Sequence, residues 1–152
     1  MRFIWRWLKR LLVLAVLAIA VGVWWFWTAD MSRDELVAKY GQPPSQFMQL
    51  DGGATVHYRD QGFSGGTPVV LLHGSNASLH TWEDWVYLLG DEYRVITLDL
   101  PSHGLTGATP EGDYSQLGMA RFVDAVVTKL GLTQFVLGGN SMGGGVAARY
   151  AA

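Results

Sequence analysis

The sequence predicts an α/β fold: a hairpin followed by a mostly parallel sheet flanked by helices, preceded by one transmembrane helix. Three observations support this prediction. A long uncharged apolar segment lies near the N-terminus, short apolar runs then alternate with segments of helical periodicity, and glycine-containing turns follow those runs. Strands that alternate with helices are typical of parallel sheets, because parallel strands need a long crossover connection.

Composition restricts the classes of protein that the chain can represent. Its 152 residues suggest one domain or less, and 49% of them are hydrophobic while 16% are charged. Soluble domains usually hold about 25% charged residues, so disorder is excluded as the main state. The chain contains no Cys, which excludes disulfide scaffolds, cysteine nucleophiles and thiolate zinc sites. A net charge of −2 gives no indication of nucleic-acid binding.

Charge is distributed unevenly along the chain. Residues 1–27 contain four basic residues and no acidic residue, whereas the remainder contains seven basic and thirteen acidic residues. We therefore expect two parts of different character, a basic apolar segment and an acidic folded segment.

The first part is predicted to be a signal anchor, with residues 1–10 as a basic cytoplasmic region and residues 11–29 as the transmembrane helix. At about 1.5 Å per residue, residues 11–29 span roughly 28 Å, close to the hydrocarbon thickness of a bilayer. Tryptophans bracket spanning helices, and basic flanks usually stay cytoplasmic. The rest of the chain is therefore expected on the outer, periplasmic or extracellular, side. The bracketing residues are Trp5, Trp7, Trp24, Trp25 and Trp27.

Two alternatives to an anchor stay open from the sequence. Ala18-Ile19-Ala20 has the small-x-small form of a cleavage site, which would make the segment a cleaved signal peptide. A buried helix of a soluble protein is disfavoured, because the segment has no polar face.

Residues 30–44 are predicted to form a short juxtamembrane helix and a linker. Ser32 and Glu35 have the spacing of a capping box, and Pro43-Pro44 follow the helical segment. The helix is therefore expected to end before the prolines.

Residues 45–152 are predicted to form the α/β domain. Asp-Gly-Gly at residues 51–53 is a hairpin signal between segments 47–50 and 55–59. Continuous apolar runs predict strands that are buried on both faces. The predicted strands are 68–72, 94–98 and 135–137, and the predicted helices are 82–89, 115–130 and 142–152. Apolar residues at helical spacing predict one buried face on each of the first two helices. These residues are Trp82, Trp85, Val86 and Leu89 in the first helix, and Leu117, Phe122, Val126 and Leu130 in the second.

A G-x-S-x-G motif, Gly139-Asn140-Ser141-Met142-Gly143, lies between a predicted strand and a predicted helix. This is the context of a nucleophile elbow, because the glycines permit a tight turn that exposes the serine hydroxyl. The helix N-terminus that follows favours developing negative charge. The motif therefore predicts Ser141 as a nucleophile. The alternative is a glycine-rich turn in which Ser141 only caps the helix.

The motif His73-Gly74-Ser75 follows the predicted strand 68–72. An amide just after such a His-Gly pair, together with the Met142 amide, could bind a tetrahedral oxyanion from two sides. We take the Ser75 amide as that candidate and expect His73 to be a structural hydrogen bonder rather than a base. An ordinary strand-to-helix turn is the alternative.

Residues 99–106, Asp-Leu-Pro-Ser-His-Gly-Leu-Thr, follow another strand end. With the two motifs above, they make residues 45–152 resemble the N-terminal part of an α/β-hydrolase. The family usually has glycine where Ser102 stands, so this loop is expected to be shaped differently. The resemblance implies a mainly structural loop, without a catalytic role for Asp99 or His103. It also implies the strand order 1-2-4-3-5-6-7-8, with an unprotected outer edge at the fifth strand if the sheet stops there.

The resemblance implies a membrane-anchored serine hydrolase that forms an acyl-enzyme on Ser141 with a small-molecule or lipidic ester, lactone or similar acyl substrate. The family places its catalytic acid and histidine after the serine, in that order. All four histidines of this chain precede Ser141, so the resemblance implies a fragment that is inactive alone. The serine at the elbow disfavours chemistry that uses a carboxylate nucleophile, as in haloalkane dehalogenases and epoxide hydrolases.

Other functions stay open from the sequence. A C–C hydrolase or a cofactor-free haloperoxidase of the same family would carry the same residues, and a non-catalytic, membrane-tethered binding module would keep the same scaffold. No cofactor or metal is expected, because the chain has neither an H-E-x-x-H motif nor a P-loop. Protein partners and oligomeric state are not predicted.

Overall fold

The computed structural model describes residues 2–152. Met1, the first residue of the predicted basic region, lies outside them. The chain divides into two compact units, one that ends at Ser32 and one from Arg33 to Ala152. The first unit contains a single helix, and the second contains the sheet.

Helix α1, Arg2–Phe26, is the one helix in residues 2–152 that is long and apolar enough to cross a membrane. None of its side chains is buried. Lys9 lies 5.6 Å from the ring centre of Trp5, and Arg10 lies 5.2 Å from that of Trp7. Because these pairs are about one helical turn apart, they explain why the helix continues into the basic region. The predicted span therefore begins inside a longer helix, and its last three residues lie beyond the helical end.

Helix α2, Arg33–Tyr40, is present where the juxtamembrane helix was predicted. Asp34 and Glu35 lie in its first turn and Lys39 in its last, and this arrangement complements the helix dipole. The Gly41 amide donates to the Val37 carbonyl at 2.8 Å. The helix thus ends before the prolines, as expected.

The sheet contains five strands in the order β1-β2-β4-β3-β5. β1 pairs antiparallel with β2 and β2 with β4, whereas β3 runs parallel to both β4 and β5. This order agrees with the first five positions that the family resemblance implies, and the predicted hairpin is confirmed. The bounds are Gln46–Gln49 for β1, Thr55–Gly62 for β2, Pro68–Leu72 for β3, Arg94–Leu98 for β4 and Val136–Gly139 for β5.

Four helical segments accompany the strands. A 3-10 turn, Leu79–Trp82, leads into α3, Glu83–Leu89, and α4 and α5 span Gln116–Lys129 and Met142–Ala151. The prediction of a buried face is wrong for Trp85, which is 52% exposed, and for Leu117, which is 39% exposed. α3 has only two turns and presents Val86 and Leu89 to the sheet. Trp85 lies edge-on to Trp82, with 6.0 Å between the ring centres.

The core lies on both faces of the sheet, which explains the continuous apolar runs in its strands. In β3, Val70 and Leu72 pack into the larger cluster, which also includes residues from α4 and α5. Val69 and Leu71 pack into a smaller cluster against α3. Since successive side chains of a strand point to opposite faces, both sets of side chains in β3 are apolar.

Strand β5 forms one edge of the described sheet. Within residues 2–152 it pairs only with β3, and Val136 on it is 54% exposed. Ser141 therefore follows an edge strand in this structure.

Candidate active site

Ser141 occupies a sharp turn between β5 and α5. Its backbone has φ 50° and ψ −113°, a conformation that costs a non-glycine residue free energy. Its side chain makes no capping hydrogen bond to the helix, and the residue is exposed. The turn thus holds the hydroxyl in the strained, accessible position predicted from the motif, and the capping alternative lacks its hydrogen bond.

The glycines of the motif make this turn possible by close backbone approach. A Cβ atom on Gly139 would collide with the backbone of Gly143 and Gly144, and one on Gly143 would collide with the carbonyl oxygen of Leu72. Backbone atoms cannot move aside as a flexible side chain can. Both positions therefore require glycine if the turn is to pack against the end of β3.

The turn after β3 lies directly beside this elbow. The Asn140 amide donates to the Leu72 carbonyl at 3.0 Å, and a Cβ built on Gly74 would lie 3.4 Å from the Cβ of Ser141. The structure therefore brings His73, Gly74 and Ser75 next to the predicted nucleophile, although 63 residues of chain separate the two motifs.

Within residues 2–152, two backbone amides near Ser141 have no hydrogen-bond acceptor. Met142 is the first residue of α5, and amides in a first helical turn have no acceptor within the helix. The Ser75 amide, on an exposed residue, donates to no backbone or side-chain acceptor in residues 2–152. These are the donors that the sequence proposed for an oxyanion hole.

His73 is buried, and both of its ring nitrogens are engaged. Nδ1 lies 2.8 Å from the Gly74 carbonyl oxygen, and Nε2 accepts from the Leu100 amide at 3.0 Å. Burial lowers the pKa of His73, and the neighbouring His103 lowers it further, so the ring is neutral near pH 7. This arrangement agrees with a structural hydrogen bonder, and neither nitrogen is available to Ser141.

Each of the other three histidines uses at least one ring nitrogen for a group other than Ser141, and His57 Nε2 is buried without a hydrogen-bond partner in the described residues. His57 contacts Asp99, His80 contacts Arg59 and Ser78, and His103 contacts the Pro101 carbonyl. Within residues 2–152, no histidine bonds the Ser141 hydroxyl. In the same residues, no group of His, Asp and Glu side chains is arranged to hold a metal ion.

Asp99 forms a buried hub that the sequence did not predict. Its carboxylate accepts from His57 Nδ1 at 2.7 Å and from the amides of Leu79 and Leu105 at 2.7 and 2.8 Å. Burial alone would raise the pKa of Asp99, but these hydrogen bonds outweigh it, and the pKa is lowered. A carboxylate that directly follows a buried strand needs hydrogen-bond partners. The position of Asp99 after such a strand was therefore the sequence signal that could have predicted the hub.

Ser102, which stands where the family usually has glycine, has its backbone in the left-handed region. Its φ is 63°, and its amide donates to the Gly107 carbonyl at 2.6 Å. At Gly104, φ is 47°, and a Cβ there would collide with the Asp99 carboxylate. Ser102 and Gly104 thus both have positive φ, and the serine adds local strain to the loop.

Comparison with known proteins adds an independent line of evidence. A family model for the alpha/beta hydrolase fold matches residues 67–152. The chain is 37% identical over 122 residues to the dihydrolipoyllysine-residue acetyltransferase component of the acetoin cleaving system of Pseudomonas putida, which covers 77% of this chain and 32% of that protein.

Two solved structures are similar in fold. One is a membrane phospholipase A described as a bacterial virulence factor, with TM-score 0.68 and 28% identity, covering 94% of this chain and 47% of that one. The other is a thermophilic esterase from Thermogutta terrifontis, with TM-score 0.64 and 35% identity, covering 70% and 40%. The chain spans about a third to a half of the length of these relatives. Because the family model matches more than half of its residues, the chain belongs to the α/β-hydrolase family.

Proposed function

We propose that the whole protein is a membrane-anchored serine hydrolase that forms an acyl-enzyme on Ser141 with ester, lactone or similar acyl substrates. The observation that carries this proposal is the strained, exposed serine between β5 and α5, with the free amides of Met142 and Ser75 beside it. A strained backbone angle persists only where the surrounding structure enforces it, and such angles cluster at functional sites.

In the proposed reaction, Ser141 Oγ attacks the substrate carbonyl carbon. Its proton passes to a histidine that the family places after the nucleophile, together with a carboxylate that orients that histidine. The tetrahedral oxyanion is held by the amides of Met142 and Ser75. The carbon–oxygen bond to the alcohol then breaks, the alcohol takes the proton, and water releases the acid from the acyl-enzyme by the same steps.

The membrane part of the proposal rests on α1. The similar membrane phospholipase A covers 94% of this chain, a share too large to leave α1 out, whereas the similar esterase covers 70%. A helix of this length and composition supports a spanning anchor, with the basic end cytoplasmic and the hydrolase domain outside. A site tethered there would meet lipidic acyl substrates.

A fluorophosphonate probe on the whole protein in its own membranes tests the chemistry. We expect the wild type to carry the probe on the peptide that contains Ser141, and Ser141→Ala to lose it. Ser102→Ala is the matched control, because Ser102 is also exposed and has a positive φ of 63°. Labelling that persists in Ser141→Ala would refute the assignment, and an unlabelled wild type would favour the non-catalytic binding module.

Cysteine accessibility tests the topology, since residues 1–152 contain no Cys. Asp91→Cys, at an exposed position, should react with a membrane-impermeant maleimide in intact cells. Arg2→Cys should react only after lysis. Loss of the Arg2→Cys peptide from the mature protein would indicate a cleaved signal peptide instead, and the parent protein supplies the background from any cysteine elsewhere.

A further inference from the structure

We infer that His73 is a positioning residue that aims the Ser75 amide at the oxyanion through its hydrogen bond to the Gly74 carbonyl. The inference rests on the proposed function, because the oxyanion exists only if Ser141 attacks an acyl carbon. It gives His73 an indirect role in catalysis, because both of its ring nitrogens contact backbone groups.

The first step is the location of the proton on the ring. Nε2 lies 3.0 Å from the Leu100 nitrogen, and a backbone amide can only donate, so Nε2 carries the lone pair. The neutral ring then has its proton on Nδ1, which donates to the Gly74 carbonyl oxygen at 2.8 Å. The two partners therefore determine the tautomer.

The second step follows from the peptide bond between Gly74 and Ser75. A trans peptide is planar, and its C=O and N–H groups point in opposite directions. A carbonyl held toward the His73 ring therefore directs the Ser75 N–H away from it. That amide has no acceptor in residues 2–152, and its peptide lies next to Ser141. The hydrogen bond to the carbonyl also polarises the same peptide, which strengthens its N–H as a donor.

The third step explains why a side chain, rather than a local turn, is needed to fix the orientation of the Gly74–Ser75 peptide. Gly74 is followed by exposed residues and has no Cβ to restrict its rotation, so its peptide could turn over. His73 is fully buried and is held from its far side by the Leu100 amide. The ring thus connects the Gly74–Ser75 peptide, beside Ser141, to the backbone of the segment after β4 and restricts the rotation of that peptide.

Replacements of His73 separate the two ring nitrogens. His73→Asn places an amide group near the Nδ1 position, so it restores the donor to Gly74 and loses the acceptor for Leu100. His73→Gln places its amide near the Nε2 position and does the reverse. His73→Ala removes both. Each variant of the whole protein is assayed for kcat and KM with a p-nitrophenyl ester, for the fluorophosphonate labelling rate, and for Tm.

We expect His73→Asn to retain most of kcat, whereas His73→Gln and His73→Ala lower it about 10- to 100-fold with little change in KM, somewhat less than removal of an oxyanion donor. Equal losses in the Asn and Gln variants, or a loss that follows Tm across the series, would overturn the inference. If only the Asn variant folds, nitrogen NMR of the wild type decides, since a proton on Nε2 would also overturn it. Absence of wild-type labelling at Ser141 would instead count against the proposed function.

Discussion

Two polar residues that each follow the carboxyl end of a parallel strand have opposite environments in this fold. Asp99 follows β4, is fully buried, and accepts three hydrogen bonds. Ser141 follows β5, is exposed, has φ 50°, and makes no capping bond. A polar group whose hydrogen bonds are complete stabilises the loops around it, whereas a strained group without partners costs stability and stays available for chemistry. The comparison thus gives Asp99 a structural role and is consistent with the reactive role that we propose for Ser141.

The largest expected effect is the loss of activity in Ser141→Gly. Without its nucleophile the whole protein should lose at least about 10⁴-fold in kcat/KM. Glycine adopts the angle at position 141 without strain, so the free energy of unfolding should rise by about 1 kcal/mol. Ester turnover and chemical denaturation measure the two quantities.

Ser102→Gly is the control for that prediction. It should relieve a similar strain at φ 63° and leave activity unchanged. If Ser141→Gly were less stable than the wild type, the serine would be contributing a favourable contact, and the contrast with Asp99 would fail.

Asp99→Asn should have the largest effect on stability. The substitution keeps the size of the side chain but turns an NH₂ group toward donors that need an acceptor, and breaking a buried pair costs about 3–5 kcal/mol. Chemical denaturation measures the loss.

The control for Asp99→Asn is Asp60→Asn. The Asp60 carboxylate pairs with Arg94 at 2.6 Å, and both side chains are 24% exposed. That pair should contribute about 1 kcal/mol or less, and equal losses at the two positions would contradict a special role for the hub.

Gly143→Ala should destabilise the protein by about 1–3 kcal/mol, because its Cβ would meet the backbone of Leu72 and His73. Activity should fall as well, since the elbow would have to move away from β3. Gly145→Ala is the matched control on the same helix, as its Cβ would meet only the flexible end of Gln116, and alanine favours the helix. Thermal unfolding of the two variants gives the difference, and an equally stable Gly143→Ala would show that the elbow can shift.

The two sites also differ in how far the sequence could predict them. The turn at Ser141 was predicted because its signal is local, a glycine spacing between an apolar run and a helical segment. The role of Ser141 as a nucleophile stays a prediction. The bounds of β3 and β4 were predicted to the residue for a similar reason, since strands buried on both faces are mostly apolar, although β4 begins with Arg94 and contains the buried Thr97. The contact of Asp99 with His57 joins residues 42 positions apart. It depends on the antiparallel register of β2 and β4, which no local pattern encodes.

The smallest expected effects are on the pH dependence of stability, to which His73 and Asp99 contribute in different pH ranges. Burial lowers the pKa of His73 below its ordinary value of 6.5, so the unfolded chain binds more protons just below pH 6.5, and the free energy of unfolding should fall there as pH drops. The pKa of His80 is also lowered by burial, so His80 contributes to the same decrease. The lowered pKa of Asp99 acts in the same direction but at lower pH, because its stabilisation is complete above 3.8 and is lost only as pH falls below that value. Denaturation across this pH range should therefore show a shallower slope below pH 6.5 in His73→Asn, whereas Asp99→Asn should keep that slope and lose the one at lower pH. An unchanged slope in His73→Asn would mean that His73 is not held neutral by the fold.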